Sequence, residues 1–362
     1  MKVCGALMLW MLCACSPSAP VKLGFLGGLS GRVSDFGEAG RNGTLLAVED
    51  ANAVGGINGH LIELVIGDDE QNAERAVAAT KKMLAAKVAA IIGPMTSAMG
   101  EAMLPIATQA ETVVVSPTIS ATTLLAKDDM LFAVSPSVSQ SATLSATYEY
   151  ARGARRVAIV YDLSNRAYTV DWVNNFGKGF AAMGGSVVAE ASFVSGDDAS
   201  YSQAVKKLSG ARPDLLSYVA NAVDTVRLIQ VSRNLGMTQS ISASPWAATE
   251  RLLEVGGRTV EGVTTPQYFN RHDSSAPYLK FATAFRKRFK QEPDFVSVAA
   301  YDATTAVISA MRQANGRPLK RALLENGSFQ GLQEPWTFGP DGSAQRQIHM
   351  TVVRDGRYSS TP

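Results

Sequence analysis

Hydroxyls and aromatic rings, not titratable groups, are the side chains in this sequence whose spacing could do chemistry. "GPMTS" (Gly93 to Ser97) follows the apolar run Val88–Ile92, and "SPTIS" (Ser116 to Ser120) follows Thr112–Val115. Each places hydroxyls just beyond a strand candidate, and a helix starts near Ser97. The first N–H groups of such a helix, with a serine hydroxyl, hold an anionic group without any formal positive charge. Helix capping is the other use for the same side chains. Later stretches repeat the arrangement with Tyr168 in "NRAYT", Asn221 in "VANAV" and Trp246 in "SPWAA", while Phe36 stands early in the chain. Arg32 and Asp224 lie near the mouths of the same loops. Enzyme constellations are missing from the sequence: no Gly–x–Ser–x–Gly elbow, no phosphate loop ending Gly–Lys–Ser/Thr, no His–Glu–x–x–His. The three histidines, His60, His272 and His349, are scattered. The run Asp68–Asp69–Glu70 reads as a solvated strand end with a capping carboxylate, not as a metal site. The chemistry points to binding without turnover, with no cofactor and no metal.

Positioning these residues requires alternating elements, and the chain supplies them twice. Strand candidates at Val21–Leu26, Leu61–Ile66, Val88–Ile92 and Thr112–Val115 are separated by helical stretches. In Asn72–Lys87, for example, Ala73, Val77, Thr80 and Leu84 share a face. The alternation pauses at Leu131–Pro136 and restarts with strands at Arg156–Tyr161, Ser186–Phe193, Asp214–Val219 and Ser240–Ala243. Runs such as "AAIIG" and "RVAIVY" are apolar throughout, as parallel strands covered on both faces must be. Two such series predict an α/β fold of two doubly wound parallel-sheet lobes. Two long helices, Tyr278–Lys290 and Phe295–Asn315, follow, then a hairpin-like end turning at Gly-Pro-Asp-Gly. The chain then crosses between lobes near 133–138, 264–268 and 334–339, which makes a hinge. Lobe one comprises 21–136 and 266–334; lobe two comprises 137–265 and 335–362. Between the first helix and second strand, "NAVGGINGHLIEL" puts three glycines in five residues, a sharp return.

The 362 residues suffice for two domains, and 46% hydrophobic with 18% charged residues is a folded composition. Net charge is +2 with the basic residues scattered, so nothing indicates nucleic-acid binding. Residues 1–14 contain Lys2 and then an apolar run too short to span a bilayer, the pattern of a signal peptide. The run ends "LCAC", which resembles the bacterial lipobox and implies lipidation at Cys15, with 15–20 as a tether; ordinary secretion is the alternative. All three cysteines (Cys4, Cys13 and Cys15) lie here, so the body can form no disulfide.

Taken in order, "GGLSGRVSDFG", "NAVGGINGH", the acidic pair at Asp68 and Asp69, "GPMTS" and "SPTIS" resemble the type I periplasmic binding proteins. The likeness is to their leucine/isoleucine/valine-binding branch and runs from about Lys22 to the end. That resemblance implies the solute-binding lipoprotein of an ABC importer, extracytoplasmic and held to a bacterial membrane by its lipid alone. It would capture a small amino acid or related organic acid between two closing lobes and present it to the permease. A ligand sensor on the same fold is the alternative. The resemblance also implies that Ser97, Thr118 and Ser120 hold the ligand's carboxylate and amino end, and that Tyr168 closes over it. Phe36, Asn221 and Trp246 are placed beside the ligand on the same basis, and the glycine-rich turn is scaffold. One departure stands out. Amino-acid binders of this branch put a carboxylate on a lobe-two loop to pair with the ligand's ammonium, and here Trp246 stands at that position. A cation–π contact returns about 0.5–2 kcal/mol, less than a hydrogen-bonded ion pair. Set against the family, this departure leads to the expectation that plain leucine, isoleucine and valine bind weakly and that an aromatic or uncharged-amine acid is preferred. The alternative is that Trp246 packs beside the cleft and a nearby acid keeps amino-acid specificity.

Overall fold

Apolar runs in the sequence become the buried strands of two separate sheets. The computed structural model describes residues 19–31, 34–125 and 127–361. The expected signal peptide (residues 1–14), Cys15 and Arg32 lie outside the described residues. The first sheet contains β1 (Val21–Gly27), β2 (Ile62–Asp68), β3 (Ala90–Ile92), β4 (Val113–Ser116) and β5 (Leu131–Ala133), all parallel, in the order β2-β1-β3-β4-β5. The second contains β6 (Arg156–Asp162), β7 (Ser186–Phe193), β8 (Leu215–Val219), β9 (Ser240–Ala243) and β10 (Thr264–Gln267). Their order, β10-β9-β8-β6-β7, repeats the winding of the first sheet. Three further strands, β11 (Phe329–Gln330), β12 (Pro335–Phe338) and β13 (Ala344–Gln345), form a small sheet of their own. Finally β14 (His349–Arg354) and β15 (Arg357–Ser360) extend the second sheet as an antiparallel hairpin.

Four details differ from the sequence reading. The pause at Leu131–Pro136 contains β5, a strand too short to show an apolar period. The boundary drawn at 265/266 cuts β10, whose Pro266 and Gln267 pair with Met350 and His349 in the second sheet. Residues 335–345, assigned above to lobe two, lie beside the first sheet instead: Ser343 bridges to Ala133, and Phe338 packs edge-on against Phe132 at 4.9 Å. The third crossing therefore falls at 346–348. The first falls at 134–137 and the second just after β10. In the helix Ala73–Ala85 the buried face is Ala76, Thr80 and Met83, with Val77 and Leu84 at its edge and Ala73 exposed.

Two glycines are required where they stand. Gly56 has φ +69°, and a Cβ there would meet the His60 carbonyl at 2.0 Å. Arg312 clamps the same turn by donating to the Gly56 carbonyl at 2.6 Å, which fixes the return between the first helix (Ser34–Ala53) and β2. Gly93, at φ +112°, would press a Cβ onto the Leu26 carbonyl at 2.1 Å. Only glycine lets the chain leave β3 at that angle and start the helix Ser97–Gln109.

Candidate ligand-binding cleft

β1, β3, β4, β6 and β9 all direct their carboxyl ends toward one cavity between the sheets, where open α/β sheets place their ligands. It is a narrow space between the lobes, with about 50 Å³ open to the centre of a water-sized sphere. Phe36, Ser97, Thr118 and Ser120 line it from the first lobe, Tyr168 and Trp246 from the second. Each crossing also reaches it, through Pro136, through Gln267 with Tyr268, and through Ile348.

Ser97 opens the helix Ser97–Gln109, is 2% exposed, and its Oγ accepts the Ala121 N–H at 3.3 Å. Thr118 donates its hydroxyl to the Met95 carbonyl at 2.6 Å, which ties the "SPTIS" loop to the "GPMTS" loop. Across the cleft, Asn165 precedes the helix Arg166–Ala182, and its Oδ1 accepts the Ala98 N–H at 3.0 Å. Asp171 on the same helix accepts the Thr122 N–H at 2.6 Å. Both bonds join a side chain of lobe two to main chain of lobe one.

Aromatic rings form the two long walls. Tyr168 and Trp172 lie one turn apart on their helix, 6.2 Å between ring centres, and Tyr168 meets Trp246 edge-on at 5.9 Å. Opposite them, Phe295 packs against Phe36 at 5.9 Å and against Tyr268 at 6.1 Å. Phe295 is positioned by a capping box, with Asp294 accepting the Ser297 N–H and Ser297 Oγ accepting the Asp294 N–H, each at 2.9 Å.

Among the described residues, the lining contains no Asp, Glu, Lys, Arg or His. The Tyr168 hydroxyl and the indole nitrogens of Trp172 and Trp246 are buried with no hydrogen-bond partner. The Tyr168 hydroxyl lies near Ser244 and the Trp246 main chain without reaching hydrogen-bond geometry with either. Burial pushes the phenol far above its usual range, so it stays a neutral donor. Burial likewise raises Tyr268 to about 12; its hydroxyl pairs with Ser135 Oγ at 2.9 Å. Behind Tyr268 runs a buried ion pair, Arg346 with Asp302 at 2.6 Å, the guanidinium 5.5 Å from the tyrosine ring centre.

Two expectations are corrected. Asn221 does not line the cavity: it caps the helix Ala222–Asn234, its Oδ1 accepting the Asp224 N–H at 3.0 Å and its Nδ2 donating to Asp224 Oδ2 at 2.7 Å. Asp224 also accepts the Tyr201 hydroxyl at 2.7 Å, which turns it into the lobe-two core. In the acidic run, Asp68 ends β2 partly exposed and Glu70 is exposed, but the middle residue is not solvated and the next helix has a different cap. Asp69 is fully buried, and the cap of the next helix is Asn72, which accepts the Arg75 N–H at 3.1 Å. Sequence reasoning missed Trp172, Asn165, Tyr268 and Phe295. Trp172 had a signal, since it sits four residues after Tyr168 and shares its helix face. Tyr268 arrives through the second crossing and Phe295 at the start of the helix Phe295–Gln313, and neither carried one.

Two wound lobes, three crossings and a cavity at the strand carboxyl ends define a two-lobed solute-binding protein. A family model described as periplasmic binding protein matches residues 20–357. The chain belongs to that family. It is 23% identical over 327 residues to the Leu/Ile/Val-binding protein of Escherichia coli K12, covering 89% of this chain and 87% of that protein. A branched-chain amino acid transporter substrate-binding protein from Streptococcus pneumoniae, solved in complex with isoleucine, superposes with a TM-score of 0.86 at 24% identity, covering 94% of this chain and 98% of that one. An ABC-transporter solute-binding protein from R. palustris, solved in complex with benzoate, gives 0.85 at 19% identity, covering 94% and 95%. Both structures share the type I periplasmic binding protein fold with this chain.

Proposed function

We propose that this protein is the extracytoplasmic solute-binding component of an ABC importer, capturing a small amino acid or organic acid between its lobes and presenting it to a membrane permease. The observation that carries this reading is the cavity itself: six of the residues picked out by family resemblance converge on it from both lobes. Ser97 and Ser120, with the N-terminus of the helix Ser97–Gln109, receive the ligand's carboxylate. The relatives' names and structures, which include isoleucine and benzoate complexes, support a small carboxylate ligand. The protein binds without turning its ligand over, and the cleft closes by rotation at the three crossings. A lipid on Cys15 holds it to the membrane. Mass spectrometry of small molecules released by denaturing the purified protein tests the function; a preparation that exchanges no carboxylate with its medium and releases none refutes it. Labelling with a radioactive fatty acid tests the anchor: wild type takes up label and Cys15→Ser does not.

A further inference from the structure

We infer that the ligand is a compact, flat carboxylic acid without an ammonium group, carrying oxygen acceptors to the lobe-two wall. This rests on the solute-binding reading above and narrows it. Tyr168, Trp172 and Trp246 line one side of the cavity, none more than 6% exposed, and the Tyr168 hydroxyl and both indole N–H groups make no hydrogen bond to the protein, although Ser244 Oγ, itself unpaired, lies beside the Tyr168 hydroxyl. Buried donors are almost always paired, so a set of three at one wall marks where a bound molecule brings acceptors. An ammonium is the wrong complement. It has three donors and no acceptor, and the two indoles can only donate.

Charge leads to the same class. A buried ammonium needs a counter-charge, and the described lining has no carboxylate. Asp224 is held by Asn221 and Tyr201 in the lobe-two core. Asp171 is held outside the lining by the Thr122 N–H and by Asn175 Nδ2 at 2.8 Å. Asp302 is paired with Arg346 behind Tyr268. None of the three faces the ligand. A carboxylate is served better, because it is held by hydroxyls, a helix N-terminus and neutral N–H donors. The facing aromatic walls, Tyr168 with Trp246 and Phe295 with Tyr268, suit a flat body between them.

Matched pairs that differ only by the ammonium decide the matter. Calorimetry on the full chain in detergent would compare phenylalanine with 3-phenylpropanoate and leucine with 4-methylpentanoate, adding 4-hydroxybenzoate and benzoate. The desamino acid of each pair is expected to bind at least 30-fold tighter, and an aromatic acid tightest of all. Tyr168→Phe, which removes only the hydroxyl, should weaken 4-hydroxybenzoate about fivefold or more and benzoate less. Phenylalanine or leucine binding as tightly as its desamino partner overturns the inference while leaving the solute-binding function intact. Failure of every acid in the panel to bind a cooperatively melting protein also overturns it, and the released-molecule experiment then judges the function separately.

Discussion

Asp294 caps the helix that carries Phe295 into the cleft, yet it does so from a buried position. Burial raises its carboxyl to about 6, against the pull of the Ser297 N–H; Glu250 and Asp35 add to the rise and Arg271 opposes it. A raised acid favours the native state while protonated. Its contribution is therefore present below about pH 4 and lost as pH rises through 6. Asp294→Asn keeps an oxygen for the Ser297 N–H and removes the ionisation. Thermal melts should show the variant matching wild type at pH 4 and exceeding it at pH 7.5, by up to about 3 kcal/mol for a shift of roughly two units. A variant that melts below wild type at pH 7.5 contradicts this account. At the residue scale the sequence was legible where a motif placed an atom at a strand end, as with Ser97 and Tyr168. It misled at Asn221, because an asparagine after a strand serves equally well as a helix cap, and only the geometry distinguishes the two.

Elements were legible in proportion to their length. The longer strands announced themselves as apolar runs, whereas β5, β11 and β13, of three, two and two residues, are too short for any period. The small sheet that β11, β12 and β13 build displaced the third crossing to 346–348. The buried pair between Arg346 and Asp302 pins that crossing, with the guanidinium also 4.9 Å from the Trp336 ring centre. Asp302 further accepts the Leu332 N–H at 2.9 Å, so it ties the long helix Phe295–Gln313 to the loop before β12. Removing one partner of such a pair strands the other charge. Asp302→Ala is expected to cost about 3–5 kcal/mol in urea unfolding, and Asp302→Ala with Arg346→Met to recover much of that loss. Equal losses in the single and double variants would show that packing, not the stranded charge, dominates.

Across the whole molecule, three crossings that all touch the cavity couple its contents to the angle between lobes. Arg271, just beyond the second crossing, bonds Glu250, Gln267 and the Ala248 carbonyl, so rotation there works against a fixed cluster. Small-angle scattering should record a smaller radius of gyration on saturation with a verified ligand; superimposable curves contradict hinge closure. The bonds from Asn165 to the Ala98 N–H and from Asp171 to the Thr122 N–H have a separate consequence, and it concerns time. Both must break before anything trapped can leave, and neither needs to form before it enters. Escape is thus slowed by atoms on the rim, largely independent of what the walls select. Asp171→Ala is expected to raise the dissociation rate about tenfold, the equivalent of 1.4 kcal/mol, with the association rate nearly unchanged in stopped-flow traces. Cargo choice and dwell time could then drift apart, each adjusted by substitutions that leave the other alone.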